Sequence, residues 1–210
     1  MNTFLENQNW RYATKKFDAT KKVSTEDLET IKEAIRLSSS SYGLQPYKVL
    51  IIENPDVREQ LKPFSWNQSQ ITDASQLIVF VNETKITEES IDSYVKNMSE
   101  TRSIPAENLQ GYSDFMKSKL LSLSEEQTTI WTAKQTYLAL ANLLNAAAEL
   151  KIDVTPIEGF ESEKYNQILN LTEKGLNASV VATIGYRHND DDTQHYKKVR
   201  KSTNELFINL

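Results

Sequence analysis

Runs of apolar residues at strand length alternate along the chain with apolar positions at helical spacing. Leu28, Ile31 and Ile35 share one face of a helix predicted from Ser24 to about Leu37, opened by Ser24 and Asp27 as a capping-box-like pair. The serine-rich segment Ser38–Gly43 breaks it with a polar loop. Tyr47–Glu53 is rich in β-branched residues and nearly all apolar, which predicts a strand buried on both faces. Asn54 and Pro55 then supply a cap and a first-turn proline for a short helix to about Leu61. Gln76–Asn82 reads as a second buried strand. The polar stretch 84–122 predicts helical pieces broken at Pro105 and Gly111.

Ser124–Leu150 carries no Gly or Pro over 27 positions, and Trp131, Leu138, Ala141, Leu144 and Ala148 follow helical spacing. Its alanines admit close neighbours, and apolar residues on more than one face place such a helix centrally or at a subunit interface. Asp153–Ile157 predicts a third strand, Glu161–Leu171 a helix closed by Gly175, and Ala178–Tyr186 a fourth strand. The polar tail 187–210 ends in the apolar, strand-like Leu206–Leu210. Such a segment either folds back on its own core or crosses to a second subunit and joins its sheet. No repeat or biased linker divides the chain, so one domain over 1–210 is expected.

Composition narrows the function. The chain has 210 residues, 39% hydrophobic and 25% charged, and a net charge of −5. That balance argues against nucleic acid or an anionic membrane as partner. With no cysteine, disulfides, thiolate nucleophiles and zinc fingers are excluded. Two histidines, His188 and His195, leave little for a metal site or a Ser-His-Asp triad. The longest apolar run, Leu77–Val81, is far short of a membrane span, and the first residues do not read as a signal peptide. The expectation is a cytoplasmic protein. Asp190–Asp192 reads as a solvated turn, and five glycines build neither a P-loop nor a dinucleotide turn.

Five segments remain: Arg11–Phe17, Ser39–Tyr47, Asn67–Gln70, Pro156–Phe160 and Lys198–Arg200. Singly, each has a plain structural explanation as a solvated basic face, a loop or a turn. Together, in this order, Arg-x-x-x-Lys, Ser-Ser-x-x-x-Gln-Pro, Pro-Ile-Glu-Gly-Phe and Lys-x-Arg resemble the oxygen-insensitive nitroreductase family from Arg11 to Arg200. Trp131–Leu138 is similar to that family's central helix.

The resemblance implies an α+β fold with a mostly antiparallel central sheet flanked by helices, and a homodimer exchanging its C-terminal strands. It also implies FMN as cofactor and NAD(P)H as electron donor, with two-electron ping-pong reduction of a small-molecule nitroaromatic or quinone. Arg11, Lys198 and Arg200 are of the type that grips the FMN phosphate, with Tyr12 and Ala13 beside them. Lys15 would stabilise negative charge on the reduced flavin's pyrimidine edge. Asn67 and Gln70 would face the ring system, and Pro156, Ile157, Glu158 and Gly159 would bring main chain to its reactive nitrogen. Ser39, Ser40, Ser41, Gly43 and Gln45 would form the loop that reaches the flavin from the other subunit. No side chain is assigned as a catalytic nucleophile or acid, and no metal is expected. At about 0.3 kcal/mol for each of roughly thirty non-hydrogen atoms, FMN would be held by about 9 kcal/mol, a sub-micromolar affinity.

The chain departs from the family pattern at Ala13, where serine is common, and at Gln70, where lysine is common. Gly43 and Tyr47 stand where Asn and Trp are frequent, and 84–122 does not align. Two alternatives stay open: the same fold and FMN with free flavin or an enone as acceptor, or a flavin-free dimeric binding protein.

Overall fold

Residues 3–210 are described in the structure, a computed structural model. The helices are α1 (Thr3–Trp10), α2 (Thr25–Arg36), α3 (Pro55–Leu61), α4 (Gln70–Asp73), α5 (Glu88–Arg102), α6 (Gln110–Leu120), α7 (Glu125–Glu149), α8 (Ser162–Ile168) and α9 (Thr203–Leu206). The strands β1 (Tyr47–Ile52), β2 (Gln76–Glu83), β3 (Asp153–Ile157) and β4 (Leu176–Gly185) form one antiparallel sheet in the order β1-β2-β4-β3. The fold is therefore α+β, as the resemblance implies.

The strand period of two sends successive side chains to opposite faces, and β2 shows why a central strand reads as a continuous apolar run. Ile78 and Phe80 pack with Ile31, Ile35, Leu140 and Leu143 of α2 and α7. Leu77, Val79 and Val81 pack on the other face with Leu61, Ile71 and Tyr165. Among the described residues no helix is long and apolar enough to cross a membrane.

The predicted starts hold where a cap fixes them: the Ser24 side chain accepts from the Asp27 N–H, Asn54 caps α3, and Ser124 with Gln127 closes a capping box on α7. Three expectations are corrected. β1 ends at Ile52 and lies at the sheet's edge, so most of it is half-buried and Lys48 is exposed. Gly111 breaks nothing and sits in the first turn of α6, where lost propensity costs little; the chain breaks instead at left-handed Ser103 and at Pro105. The helix expected to reach Leu171 stops at Ile168, because Asn170 is left-handed, and Gly175 closes a separate short turn. Leu206–Leu210 forms no strand within this chain: Ser202 caps the single turn α9, and Leu206, Phe207, Ile208 and Leu210 are exposed. The apolar end of the tail does not pack on the core of its own chain.

Helix α1 carries no amphipathic signal. Side-chain hydrogen bonds hold it instead: Gln8 donates to Asn145 at 2.8 Å, Asn7 donates to Glu149, and the Lys151 ammonium donates to Asn7 Oδ1.

Candidate active site

The segment after α1 has almost no secondary structure of its own. Ala13 makes a single parallel bridge to Val154 of β3, and Phe17 a single antiparallel bridge to Arg187 beyond β4. The Thr155 hydroxyl donates to the Thr14 carbonyl, and the His188 N–H donates to Lys16 O at 2.8 Å. Arg11, Tyr12, Ala13 and Lys15 are thus laid along β3, the strand that runs into Pro156, Ile157, Glu158 and Gly159.

The C-terminal tail returns to the same place. The Lys198 ammonium donates to the carbonyls of Gln8 and Arg11. Burial holds the Lys198 ammonium below its ordinary value, and the charges of Arg11 and Arg200 lower it further. The Arg11 guanidinium is likewise lowered, by burial first and then by Arg200. Three cations from opposite ends of the chain therefore crowd one another. The ion pairs among the described residues include none of them. Like charges gathered without a counter-ion repel one another, and an anion between them would relieve that repulsion.

Tyr12 is held beside them. The Arg187 guanidinium lies 4.4 Å from the Trp10 ring and 4.6 Å from the Tyr12 ring, and pairs with Asp153 at 2.6 Å. The Tyr12 hydroxyl donates to Asp191 at 2.9 Å; burial, then this bond, raises the phenol's pKa.

At the other end of β3, Ile157 is buried in the core and Pro156 is half-buried. The Tyr137 hydroxyl of α7 donates to Glu158 Oε1 at 2.6 Å; burial, and then this carboxylate, push the phenol up to about 12. The Gln68 amide ties Ser65 O (2.9 Å) to Gly159 O (3.1 Å), which brings the Asn67 loop against this turn. Trp66 and Asn67 are both left-handed, φ 54° and 53°. Asparagine tolerates that conformation, whereas tryptophan is strained in it, and such strain concentrates at functional sites. A Cβ on Gly159 would stand 2.7 Å from the Trp66 indole, so glycine is needed here for the indole's approach. Trp66 is nonetheless 75% exposed. Asn67 is exposed beside it, and Gln70 is buried at the start of α4.

The serine loop lies elsewhere. Ser39, Ser40, Ser41, Gly43 and Gln45 lead into β1, across the sheet from β3 and about 14 Å away at ~4.8 Å per strand. The Ser41 N–H donates to Gln135 of α7, Ser40 Oγ accepts from the Gln45 N–H, and the Gln45 amide caps Arg36 O of α2. Left-handed Tyr42 (φ 61°) offers its carbonyl to the Tyr94 hydroxyl at 2.6 Å, and a Cβ on Gly43 would strike that same hydroxyl. The single chain therefore gathers the Arg11, Asn67, Pro156 and Lys198 segments but leaves the serine loop apart from them.

Sequence reasoning missed Trp66, Gln68, Tyr137 and Asp191 as contributors. Asp190–Asp192 does not behave as a uniformly solvated turn, since Asp191 is only 3% exposed while its neighbours are exposed. A buried carboxylate survives without a cation only where donors converge on it, and sequence spacing gives no sign of donors 175 residues away. Burial alone would raise the Asp191 pKa, but hydrogen bonds from Thr193, Lys15, Lys16 and Tyr12 bring it down to about 2. The folded value lies below the unfolded one, so the stabilisation is present above about pH 4 and is lost as pH falls toward 2. The stability difference between the protein and Asp191→Asn, measured by urea unfolding, should therefore shrink steadily between pH 5 and pH 3. A difference independent of pH would show that the carboxylate's charge is not what stabilises.

The fold is that of the nitroreductases. YdfN from Bacillus subtilis matches it in crystal structure with a TM-score of 0.89 at 19% identity, covering 99% of each chain. A structure from Exiguobacterium sibiricum solved in complex with FMN matches with a TM-score of 0.83 at 19% identity, over 98% of this chain and 96% of that one. Residues 9–186 match the model of the nitroreductase family, and the chain belongs to that family. It is 38% identical over 197 residues, 89% of each chain, to YfkO of Bacillus subtilis, which is named as a candidate NAD(P)H nitroreductase.

Proposed function

We propose that the chain, as one FMN-binding unit over 1–210, is a cytoplasmic FMN-dependent NAD(P)H oxidoreductase acting on nitroaromatics or quinones. The observation that carries this reading is the Lys198 ammonium seated on the Arg11 carbonyl, with Arg200 close enough to lower the pKa of both, while no ion pair among the described residues includes any of the three. A phosphate dianion is the counter-charge such a cluster lacks, and guanidinium forks grip its oxygens in pairs. When bound, FMN supplies the two-electron hydride chemistry. The chain's own residues hold and orient it: Lys15 presents a positive charge, Asn67 its amide, and the Pro156–Gly159 turn its main chain. The FMN bound by the Exiguobacterium neighbour and the name of YfkO support the same reading. The FMN-free protein mixed with FMN and desalted should stay yellow and oxidise NAD(P)H when given a quinone or a nitroaromatic. A colourless product removes the reading in favour of a flavin-free binding protein.

A second acceptor class, free flavin or an enone, is favoured by Gln70, which brings no positive charge to that position. The α5–α6 hairpin supports it too, packing Tyr94 and Tyr112 around Tyr42. Comparing turnover with free flavin, an enone, a quinone and a nitroaromatic separates the two.

The unit is proposed to be a homodimer. Ile130, Tyr137 and Leu138 leave an exposed apolar stripe on α7, and the tail ends in exposed Phe207 and Ile208. The free edge of β1 lies in a groove of about 840 Å³ walled by α2. β3, the other outer strand, is already bridged by Ala13. Exchange of tails into these grooves would bring a partner's serine loop toward each site. Ending the chain at Lys201 should shift the population seen by light scattering from dimer to monomer, and an unchanged mass would sink the exchange.

A further inference from the structure

We propose that Asp191 is a positioning residue of the FMN site, its carboxylate fixing the main chain of the Tyr12–Lys16 turn from which Lys15 presents its charge. The inference rests on the FMN reading above and goes beyond it in assigning what holds the turn. Between its bridges at Ala13 and Phe17 the turn has no ladder, and the Thr155 hydroxyl and the His188 N–H hold it through its Thr14 and Lys16 carbonyls. Asp191 Oδ2 holds it through its donors: it accepts the Lys15 N–H at 2.8 Å, the Lys16 N–H at 3.1 Å and the Tyr12 hydroxyl at 2.9 Å. Two consecutive amides on one oxygen are an anion nest, here filled by the protein's own carboxylate. Oδ1 is fixed in turn by the Thr193 N–H at 3.0 Å and by the Thr193 hydroxyl. Five donors and burial leave Asp191 one orientation, and no ion pair among the described residues includes it. The same carboxylate joins the two chain ends, since Lys198 and Arg200 follow it within nine residues.

A fixed cation stabilises developing negative charge only if it is held in place beforehand. The charge and the positioning carried by Asp191 act in opposite directions on the flavin. Its negative charge disfavours the reduced anion, so neutralising it through space alone would raise the affinity for reduced over oxidised FMN. Releasing Lys15 lowers that ratio. The sign of the change therefore separates the two roles, and a merely structural role moves the ratio in neither direction.

The test uses the full-length protein loaded with FMN, with reduction potentials from dye equilibration and FMN affinities from quenching of flavin fluorescence. Asp191→Asn should lower the ratio about tenfold, ~30 mV for a two-electron couple. Lys15→Ala should lower it at least as far. The double variant should fall no lower than Lys15→Ala alone, because with Lys15 gone Asp191 has no cation left to position and the loss of its own charge only raises the ratio. A ratio raised or unchanged in Asp191→Asn, or additive effects in the double variant, overturns the proposal. Should Asp191→Asn fail to fold, Tyr12→Phe removes one donor from Oδ2 and keeps the charge. It should shift the ratio in the same direction by about twofold, a fraction of one hydrogen bond, and no shift overturns the proposal. A parent protein that binds no FMN overturns the oxidoreductase reading together with this one, whereas a parent that binds it beside a neutral Asp191→Asn overturns this one alone.

Discussion

Replacing Arg200 with alanine should weaken FMN binding by about tenfold to a hundredfold, while the FMN-free protein melts at the same temperature or slightly higher. A charge-assisted hydrogen bond contributes about 1.5–3 kcal/mol, and each 1.4 kcal/mol is a factor of ten. In the protein alone Arg200 earns little of this: it is exposed, and its Nη1 donates to its neighbour's carbonyl, Val199 O, at 2.6 Å. What it does there is unfavourable, since its charge lowers the pKa values of both Arg11 and Lys198. Removing it relieves repulsion in the empty cluster and takes one grip from the filled one. Fluorescence titration with FMN, set beside thermal melts without it, checks both halves. Equal losses in the two would make Arg200 a structural residue and leave the cluster without its assigned ligand.

That cluster was legible in the sequence only through resemblance, because residues 11 and 200 have no local relation; the fold brings them together through the bridges at Ala13 and Phe17. The sheet was legible directly. β2 is buried on both faces and carries the unbroken apolar run Leu77–Val81, and β4 is apolar over most of its buried length, so their pattern is also their environment. β1 carries the same kind of run yet lies at the edge, since a pattern of apolar residues does not say which neighbour is missing. α7 misled in a related way. Its buried face holds Thr128, Thr132, Gln135 and Thr136, while Leu138 and Ala141 are exposed. Polar side chains face inward there because the interior supplies partners: Thr132 donates to Glu83 O at 2.7 Å, and Asn82 donates to the Thr132 hydroxyl at 2.9 Å. The tail kept an apolar ending that a single chain does not cover. In these places the sequence carries the chemistry correctly, and the missing information is the partner.

Arg58→Ala should destabilise the protein by about 3 kcal/mol or more, enough to lower the melting temperature by about 6–12 °C in a chain of this length. On the pattern of α3, Arg58 is an ordinary charged position of a short surface helix, yet it is only 4% exposed. Its Nε donates to Ile71 O at 2.6 Å, Nη2 to Ala74 O at 2.6 Å and Nη1 to Ser75 O at 3.1 Å. Burial lowers its pKa, and the charges of Asp73, Glu53 and Glu59 act against that. The guanidinium stays charged in either case, so the site is a cation in a cage of backbone carbonyls. Truncation strands three buried acceptors at about 1–3 kcal/mol each and opens a cavity between α3 and the α4–β2 connection. Arg58→Lys should recover part of the loss, because an ammonium can serve some of the three carbonyls but lacks the planar fork. Arg58→Met, which fills the volume and satisfies none of them, should stay close to alanine. Urea unfolding of the three variants ranks them. An alanine variant within about 1 kcal/mol of the parent would mean that water enters and solvates those carbonyls, and that the segment from Gln70 to Ser75 is held by something other than Arg58.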